Sequence, residues 1–459
     1  MKKLHIFIIA FAALSLTGCK SLYGNYKRPK AKMMGVVRHP IDDHAQLEGT
    51  NDFGNLPWRS VFTDTLLQKI IERSLDNNPN LINAMLNIDI AEQQLRAAKL
   101  AFLPNVILSP TGTISLFGSQ PEPTKAYTFP IAASWNVSLF GQLRAQKKSA
   151  QVMLMQAKDY KVAAQTSLIC NVANLYYTLL MLDSQKEIVE NMAKLAKDTW
   201  EMMKLQIKFG RARSTSVQSA EAAYYNILTQ GVTIRNNIRK AENSLSLLLG
   251  EPAHKINRGN FYYQTLPVTF SGGIGIEQLS NRADVHANEM ALAQCFYNVQ
   301  EARSRFYPAL NISPTAAWSN GNGLISPGKL LLSIAGSLTQ PIFAQGKLKA
   351  GLRVTQDQYK QAYNKWQNSI LTAGAEVSNA LVGYSSANEK TKLIQRQIDV
   401  LKKNVEQTQL LYKQSSSSYI EVITAQQGLL NAQIEQVQEQ FAKLQSIVNL
   451  YYALGGGAK

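Results

Sequence analysis

From Gln142 to Phe209 the chain runs for roughly seventy residues without a single Gly or Pro. Helix interiors tolerate those two residues worst, and the stretch is rich in Ala, Gln, Lys, Leu and Met, so it reads as one continuous helix over 142–209. At 1.5 Å per residue such a helix is about 100 Å long. No globular interior is deep enough to bury it. Its apolar positions Leu168, Val172, Leu175, Leu179, Leu182, Ile188, Met192 and Leu195 recur at three-and-four spacing, which requires other long helices alongside. A second run, Leu352 to Lys413, has the same character, broken only by Gly374 and Gly383.

The N-terminus sets the compartment. A basic start (Lys2, Lys3), an apolar centre (Ile6 to Leu16) and a small-residue end make residues 1–18 a signal peptide whose apolar core is too short to remain as a membrane span. Its end, Leu16-Thr17-Gly18-Cys19, resembles the lipobox of bacterial lipoproteins, in which the Cys is lipid-modified and becomes the first residue. By the same resemblance, Lys20 in place of an Asp implies delivery to the outer membrane. Only Cys170 and Cys295 remain, far apart and inside expected helices, which favours buried free thiols over a disulfide. The formal charge is +17, but an exported lipoprotein does not meet nucleic acid, and the cations are spread along helices as a solvated surface.

After a polar, Pro-punctuated strap (19–55) come a short amphipathic helix over Phe62 to Ser74 and a helix from Asn78-Pro79-Asn80 to about Phe102. The period then changes to two. In Tyr127 to Phe140, Tyr127, Phe129, Ile131, Ala133, Trp135, Val137 and Leu139 alternate with small or polar residues, and Asn105 to Leu116 alternates likewise. Leu310 to Trp318 and Leu330 to Leu338 repeat the pattern around turns rich in Gly and Asn. These are two hairpins, 105–140 and 309–343, of strands about ten residues long, the length a membrane strand needs. A soluble half-buried sheet alternates too. The outer-membrane signal, the aromatics Tyr127, Phe129, Trp135 and Trp318 on the apolar face, and the lack of charge from Asn105 to Ser119 favour lipid. On this reading Trp135 meets lipid near mid-membrane and Ser134 faces a lumen. Four strands cannot close a barrel, and open edges in lipid are costly, so chains must pool their hairpins. Two chains give eight strands and three give twelve; the small polar inner face fits the open twelve-stranded lumen better.

The chain repeats itself at an offset of about 204 residues. Pro104 answers to Pro308, Leu139-Phe140-Gly141-Gln142 to Ile342-Phe343-Ala344-Gln345, and Val217, Ala220 and Gly250 to Val422, Ala425 and Gly455. The first repeat is 56–250, with a long helix 142–209 and a return helix 214–249; the second is 282–455, with helices 346–413 and 419–454. A linker (251–281) joins them and a short tail (456–459) follows. The fold class is mostly α with a β-barrel part, internally duplicated.

Together the lipobox, the Trp58 and Phe62 to Leu66 opening, Asn281-Arg282-Ala283-Asp284-Val285, the Phe343 to Lys349 strand exit and Leu454-Gly455-Gly456-Gly457 resemble the TolC family, specifically its NodT/OprM-type outer-membrane lipoproteins of RND efflux systems. The resemblance implies a homotrimer with a twelve-stranded β-barrel in the outer-membrane lipid and a long α-barrel in the periplasm. It also implies two partners, a periplasmic adaptor (membrane fusion) protein and an inner-membrane RND pump, for which the channel exports drugs or other small toxic molecules. Two departures stand out: Ala283 replaces a usual Pro, and Ser415-Ser416-Ser417-Ser418 stands where the family often shows Gly and an acidic residue.

No catalytic constellation, metal-ligand spacing or phosphate loop is visible, so neither an enzyme nor a cofactor is expected. The informative places are the two turns farthest from the hairpins. Gly210, Arg211, Arg213 and Ser214 form one, beside Lys204 and Lys208, and Ser415 to Ser418 with Tyr419 form its counterpart. The resemblance makes these tips the periplasmic entrance and the adaptor's docking surface, with Glu421 and Gln426 as secondary contacts. Solvated turns with basic helix C-termini are the plain alternative. Type I protein secretion, heavy-metal cation efflux and a non-conducting coiled-coil lipoprotein are the other functions weighed.

Overall fold

The computed structural model of the chain describes residues 24–30, 37, 53–116, 123–210, 212–266, 279, 282–319, 329–414 and 418–457. After a one-turn helix at Trp58–Val61, the first half has α1 (Thr65–Asn77), α2 (Pro79–Leu100), strands β1 (Asn105–Leu108), β2 (Thr111–Ser115) and β3 (Thr124–Val137), then α3 (Gln142–Lys208) and α4 (Ser214–Leu248). The second half has α5 (Ala283–Ser304), β4 (Ala309–Ser319), β5 (Lys329–Thr339), α6 (Lys347–Lys413) and α7 (Tyr419–Ala453). The duplication is metrical: α2 and α5 both have 22 residues, α3 and α6 both 67, α4 and α7 both 35.

Several element ends differ from the sequence reading. Gly374 and Gly383 lie inside α6, which is continuous as expected over 346–413; a Cβ at Gly383 would come within 2.7 Å of Ser446 Oγ, so glycine is there for the close approach of α7. The first amphipathic helix starts at Thr65, not Phe62, because Asp64 caps it, accepting from the Leu66 N–H at 2.8 Å. α2 stops at Leu100 rather than Phe102, ahead of Pro104. Cys170 is buried as expected, and burial pushes its thiol up to about 12, whereas Cys295 is only half-buried.

By packing, the chain forms two compact units, one of residues 1–32, 86–159 and 286–368, the other of 33–85, 160–285 and 369–459. Each draws on both repeats, so neither coincides with one.

In the first unit the strands form one antiparallel sheet in the order β1-β3-β4-β5, with β2 also on β3. The strand expected over 105–116 is broken at Ser109-Pro110, although β1 and β2 hold a single register against β3. Pro110 has no N–H to give, and neither has Pro130 on the partner strand, whose carbonyl accepts from Ser109 at 3.2 Å. β3 runs past Tyr127 to Thr124 but ends at Val137, and β5 ends at Thr339, short of the expected Phe140 and Phe343. Register does the sorting of side chains. Phe129 faces Trp318, Ile131 faces Ala316, Trp135 faces Ile312 and Val137 faces Leu310, while Ile312, Pro314 and Ala316 face Gly336, Ile334 and Leu332. Side chains alternate along a strand, so these all share one apolar face. Thr128, Ala132, Ser134, Asn136, Asn311, Ser313, Thr315, Ser333 and Ser337 share the other, with Ile107 and Leu331 as its large members. Trp135 is not in mid-strand: two residues from the end of β3, it donates Nε1–H to the Phe102 carbonyl at 2.9 Å. Also in this unit, residues 24–30 dock on α5, through Arg28 to the buried Glu289 (2.6 Å) and Gln300 to the Gly24 carbonyl (2.7 Å).

The second unit is centred on Tyr451 of α7, fully buried, with Phe53 and Phe62 edge-on to its ring and its hydroxyl donating to the Leu56 carbonyl at 2.7 Å. The return helices end alike. Gly250 and Gly455 both take positive φ, and the last carbonyls are met from the start of the preceding repeat helix: Asn78 Nδ2 donates to Leu248 O (2.9 Å), Arg282 Nη1 to Ala453 O (2.9 Å). Of the linker, Arg258 reaches Asp183 at 2.9 Å and Glu242 at 2.7 Å, and Gln264 reaches Asp64 at 2.9 Å. The chain's last turn is packed as tightly, since a Cβ on Gly456 would overlap the immobilised Tyr451 ring. Gly456→Ala is therefore expected to cost about 1–3 kcal/mol. Gly351→Ala, on an open face of α6, should instead stabilise by about 0.5–1 kcal/mol. Thermal melts of the purified variants check both signs.

Candidate docking and gating site at the helix ends

The ends of α3, α4, α6 and α7 meet in one apolar cluster within the second unit. Met203, Ala220, Tyr412 and Val422 are buried at its centre, with Trp200, Met202, Val217, Tyr419 and Ile423 packed around them. Each long helix thus turns back against its return helix and against the other repeat's pair. A buried polar tie lies deeper in: Gln426 of α7 donates to Thr199 Oγ1 of α3 at 2.9 Å. At the rim of the cluster, Trp200 also stacks on Tyr224 (5.8 Å, 21°) and Lys204 Nζ sits 3.3 Å over the Trp200 ring.

The turns themselves are open. Gly210 takes φ +67° with nothing within 4 Å of a Cβ built on it, and Phe209 beside it is 75% exposed. Arg213 and Ser418 occupy the N-cap positions of α4 and α7, neither with a side-chain cap bond; their carbonyls accept from the Ser216 and Glu421 N–H groups at 3.0 and 3.1 Å. Lys208 and Lys413 close the last turns of α3 and α6, where the helix dipole favours cations. Among the described residues, these turns carry no arrangement for bond-making chemistry. Among the described residues no group of three His, Cys, Asp or Glu side chains could hold a metal ion.

Comparison with known proteins decides the family. The family model for outer membrane efflux proteins matches residues 70–251 and 276–456, one match per repeat and most of the chain. The chain belongs to the outer membrane efflux protein family. It is similar to the cation efflux system protein CusC of Escherichia coli K12, at 24% identity over 97% of this chain and 98% of that one. It is also similar to TtgC of Pseudomonas putida, described as a probable efflux pump outer membrane protein, at 27% identity over 98% of this chain and 95% of that one. Its fold matches the open state of the MtrE outer membrane channel of Neisseria gonorrhoeae with TM-score 0.84, 23% identity, and 95% and 98% of the two chains covered. The protein is an outer-membrane efflux channel and not an enzyme.

For this efflux channel, the residues singled out in the sequence fall into three places. Gly210, Arg213, Ser214, Ser418 and Tyr419 gather at the cluster of helix ends. Phe129, Trp135, Trp318 and Tyr127 share the apolar face of the sheet, with the Phe129 and Trp318 rings 5.8 Å apart. Cys19, Arg211, Ser415, Ser416 and Ser417 lie outside the described residues. Sequence reasoning missed Trp200, Met203 and Tyr412. A signal existed for the first, since Trp200 and Lys204 are one turn apart, but Met203 and Tyr412 are ordinary seam positions whose convergence needs the fold.

Proposed function

We propose that three copies of this channel form the outer-membrane conduit of a tripartite efflux system that exports drugs or other small toxic molecules. The observation that carries this is the register of the sheet, in which β1 and β2 act as one interrupted strand beside β3, β4 and β5; it gives one apolar and one small, polar face and, among the described residues, leaves β1–β2 and β5 as its edges. In lipid those edges need partners, and further copies of the chain supply them in kind. Three copies give twelve strands, enough for a water-filled lumen lined by the Ser, Thr and Asn face. An inner-membrane RND pump and a periplasmic adaptor complete the path, the adaptor engaging the helix ends at Arg211, Arg213 and the Ser415 to Ser418 turn. Cargo of another kind is a second reading, favoured by the likeness to a cation efflux protein: heavy-metal cations passed on by the pump. The lipid anchor is assigned to Cys19, and Cys19→Ala should abolish labelling by radioactive fatty acid while trimers still form; persistent labelling refutes the assignment.

The facing of the sheet is tested at mid-strand. Ile131 lies on the apolar face opposite Ala316 and Leu108, and Ala132 on the other face opposite Thr315. An Arg on the lipid face at the midplane costs about 2–4 kcal/mol, incurred once per chain. Ile131→Arg should deplete assembled trimers from outer-membrane fractions on heat-modified gels, whereas Ala132→Arg should assemble and lower planar-bilayer conductance. The reverse pattern inverts the facing.

Replacing Arg211 and Arg213 by Glu should leave trimers intact while weakening adaptor pull-down and lowering drug resistance of a complemented deletion strain. Unchanged capture and resistance would return these arginines to the role of solvated turn residues. Loss of copper or silver tolerance with drug resistance unaffected selects the cation reading.

A further inference from the structure

The duplication extends to the strands. Ile334-Ala335-Gly336-Ser337-Leu338 of β5 repeats Ile131-Ala132-Ala133-Ser134-Trp135 of β3, and Ser313-Pro314-Thr315 of β4 repeats Ser109-Pro110-Thr111 of the β1–β2 strand. β5 is thus the counterpart of β3, and the β1–β2 strand the counterpart of β4. Within one chain β3 and β4 pair with each other, whereas their counterparts lie at opposite edges of the sheet, with nothing paired on their outer sides among the described residues. Exposure follows that difference. Phe140, just past β3, stacks on Tyr307, just before β4, at 4.9 Å. Its counterpart Phe343 is 85% exposed, and Leu103, the counterpart of Tyr307, is 62% exposed.

We infer that β5 of one copy pairs with the β1–β2 strand of the next in a seam that repeats the β3–β4 register, setting Leu332 against Ile114 of the next copy and Leu338 against Leu108 of the next copy. This rests on the reading that copies of the chain close a barrel, and adds the register at which they close it. Within the chain Phe129 faces Trp318, Ile131 faces Ala316 and Trp135 faces Ile312. Carried over, Leu332 faces Ile114, Ile334 faces Gly112 and Leu338 faces Leu108, so large still meets large and Ile still meets a small residue. Phe343 then covers Leu103 as Phe140 covers Tyr307. The faces agree as well: Leu332 shares the apolar face with Ala316, and Leu108 shares it with Ile131, so a slip of one residue would turn apolar against polar.

Closure agrees with this register. Leu108 faces Ile131, Ile131 faces Ala316 and Ala316 faces Leu332, so pairing Leu332 with Ile114 brings the path across one copy back to the same strand six residues further on. Three copies stagger the barrel by about 18 residues, a strand tilt of roughly 45° at about 3.3 Å per residue and about 4.8 Å between strands, as in membrane barrels. The competitor is a slip of two residues, which keeps the faces. The two hairpins already differ by that much, since Asn105 faces Ser134 whereas its counterpart Ala309 faces Thr339, the counterpart of Asn136.

Cross-linking reads which register forms. Full-length protein in outer-membrane fractions carries Leu332→Cys with Gly112→Cys, Ile114→Cys or Leu116→Cys, is oxidised with copper phenanthroline, and is run on denaturing gels with and without reductant. Within one chain these edges lie three strand spacings apart, about 14 Å, beyond the reach of a disulfide, so a ladder reports contact between copies. Leu332→Cys with Ile114→Cys should give reducible dimers and trimers, and the other two combinations and each single variant several-fold less. Ala335→Cys with Thr111→Cys, on the polar face and of the opposite hydrogen-bonding class, should cross-link too, so that an unfavourable geometry at one pair does not hide the seam. A stronger ladder with Gly112→Cys or Leu116→Cys overturns the register, as do assembled oligomers that form no ladder at Ile114→Cys or at Thr111→Cys. A ladder that stops at two chains supports the seam and overturns the three-copy reading, and wild type without heat-modifiable oligomers overturns both.

Discussion

The pairing of β3 with β4 joins strands from different repeats, and the rest of the fold depends on it because neither hairpin is stable as a two-stranded ribbon. Its register is demanding. A slip of one residue would turn Phe129, Ile131 and Trp135 to the face that holds Ser313 and Thr315. Large-against-large and large-against-small pairs, Phe129 with Trp318 and Ile131 with Ala316, make the observed register the one that packs. The compact units cut across the repeats for the same reason: a hairpin binds its counterpart in the other half more closely than it binds the far end of its own helices.

Two buried arginines do in the helical unit what register does in the sheet. Arg258 ties the linker to α3 through Asp183 and to α4 through Glu242; its hydrogen bonds to Asp183, with those to Glu242, outweigh burial and hold its charge. Arg282 is nearly enclosed, and although burial works against its charge, Asp284 and Glu376 more than compensate. Charges this buried add little net stability while paired, but losing either partner leaves an uncompensated ion. Their value is positional. Arg282 meets the end of α7 through a backbone carbonyl as Asn78 meets the end of α4, so one junction is solved with a neutral side chain in one repeat and a charged one in the other.

Much of the architecture was legible because its signals are local. Absence of Gly and Pro marks α3, and two-residue alternation marks β3, β4 and β5. What was not legible depends on partners far along the chain. The break at Ser109-Pro110 reflects Pro130 on the facing strand, and the reason for a glycine at 383 in mid-helix appears only when Ser446 is set against it. The seam on α3 was only partly right: Leu168, Val172, Leu179, Leu182 and Met192 are buried, but Leu175, Ile188 and Leu195 are half-exposed, while Ile169, Tyr176, Tyr177 and Leu180 close a broader face. A single seam assumes one neighbouring helix, whereas this stretch also meets the linker, with Gly259 N–H donating to the Tyr176 hydroxyl at 2.9 Å. At the helix ends, the turn residues were visible as breaks in pattern, and the apolar cluster beneath them was not.

The two repeats differ in residues where they agree in length. Three helix lengths match to the residue, and Gly141 and Gly346, like Gly250 and Gly455, keep the same left-handed turn at corresponding junctions. The distal turns do not match: one reads Phe209-Gly210-Arg211-Ala212-Arg213, the other Gln414-Ser415-Ser416-Ser417-Ser418. Length is constrained within the helical unit because α3 and α6 end in one cluster; one extra residue in either rotates everything beyond it by about 100° and turns Met203 or Tyr412 out of that cluster. Turn chemistry is less constrained, since among the described residues nothing lies within 4 Å of a Cβ built on Gly210. Divergence therefore collects at the tips, and one chain carries two turn sequences of different chemistry, one basic and one rich in hydroxyls.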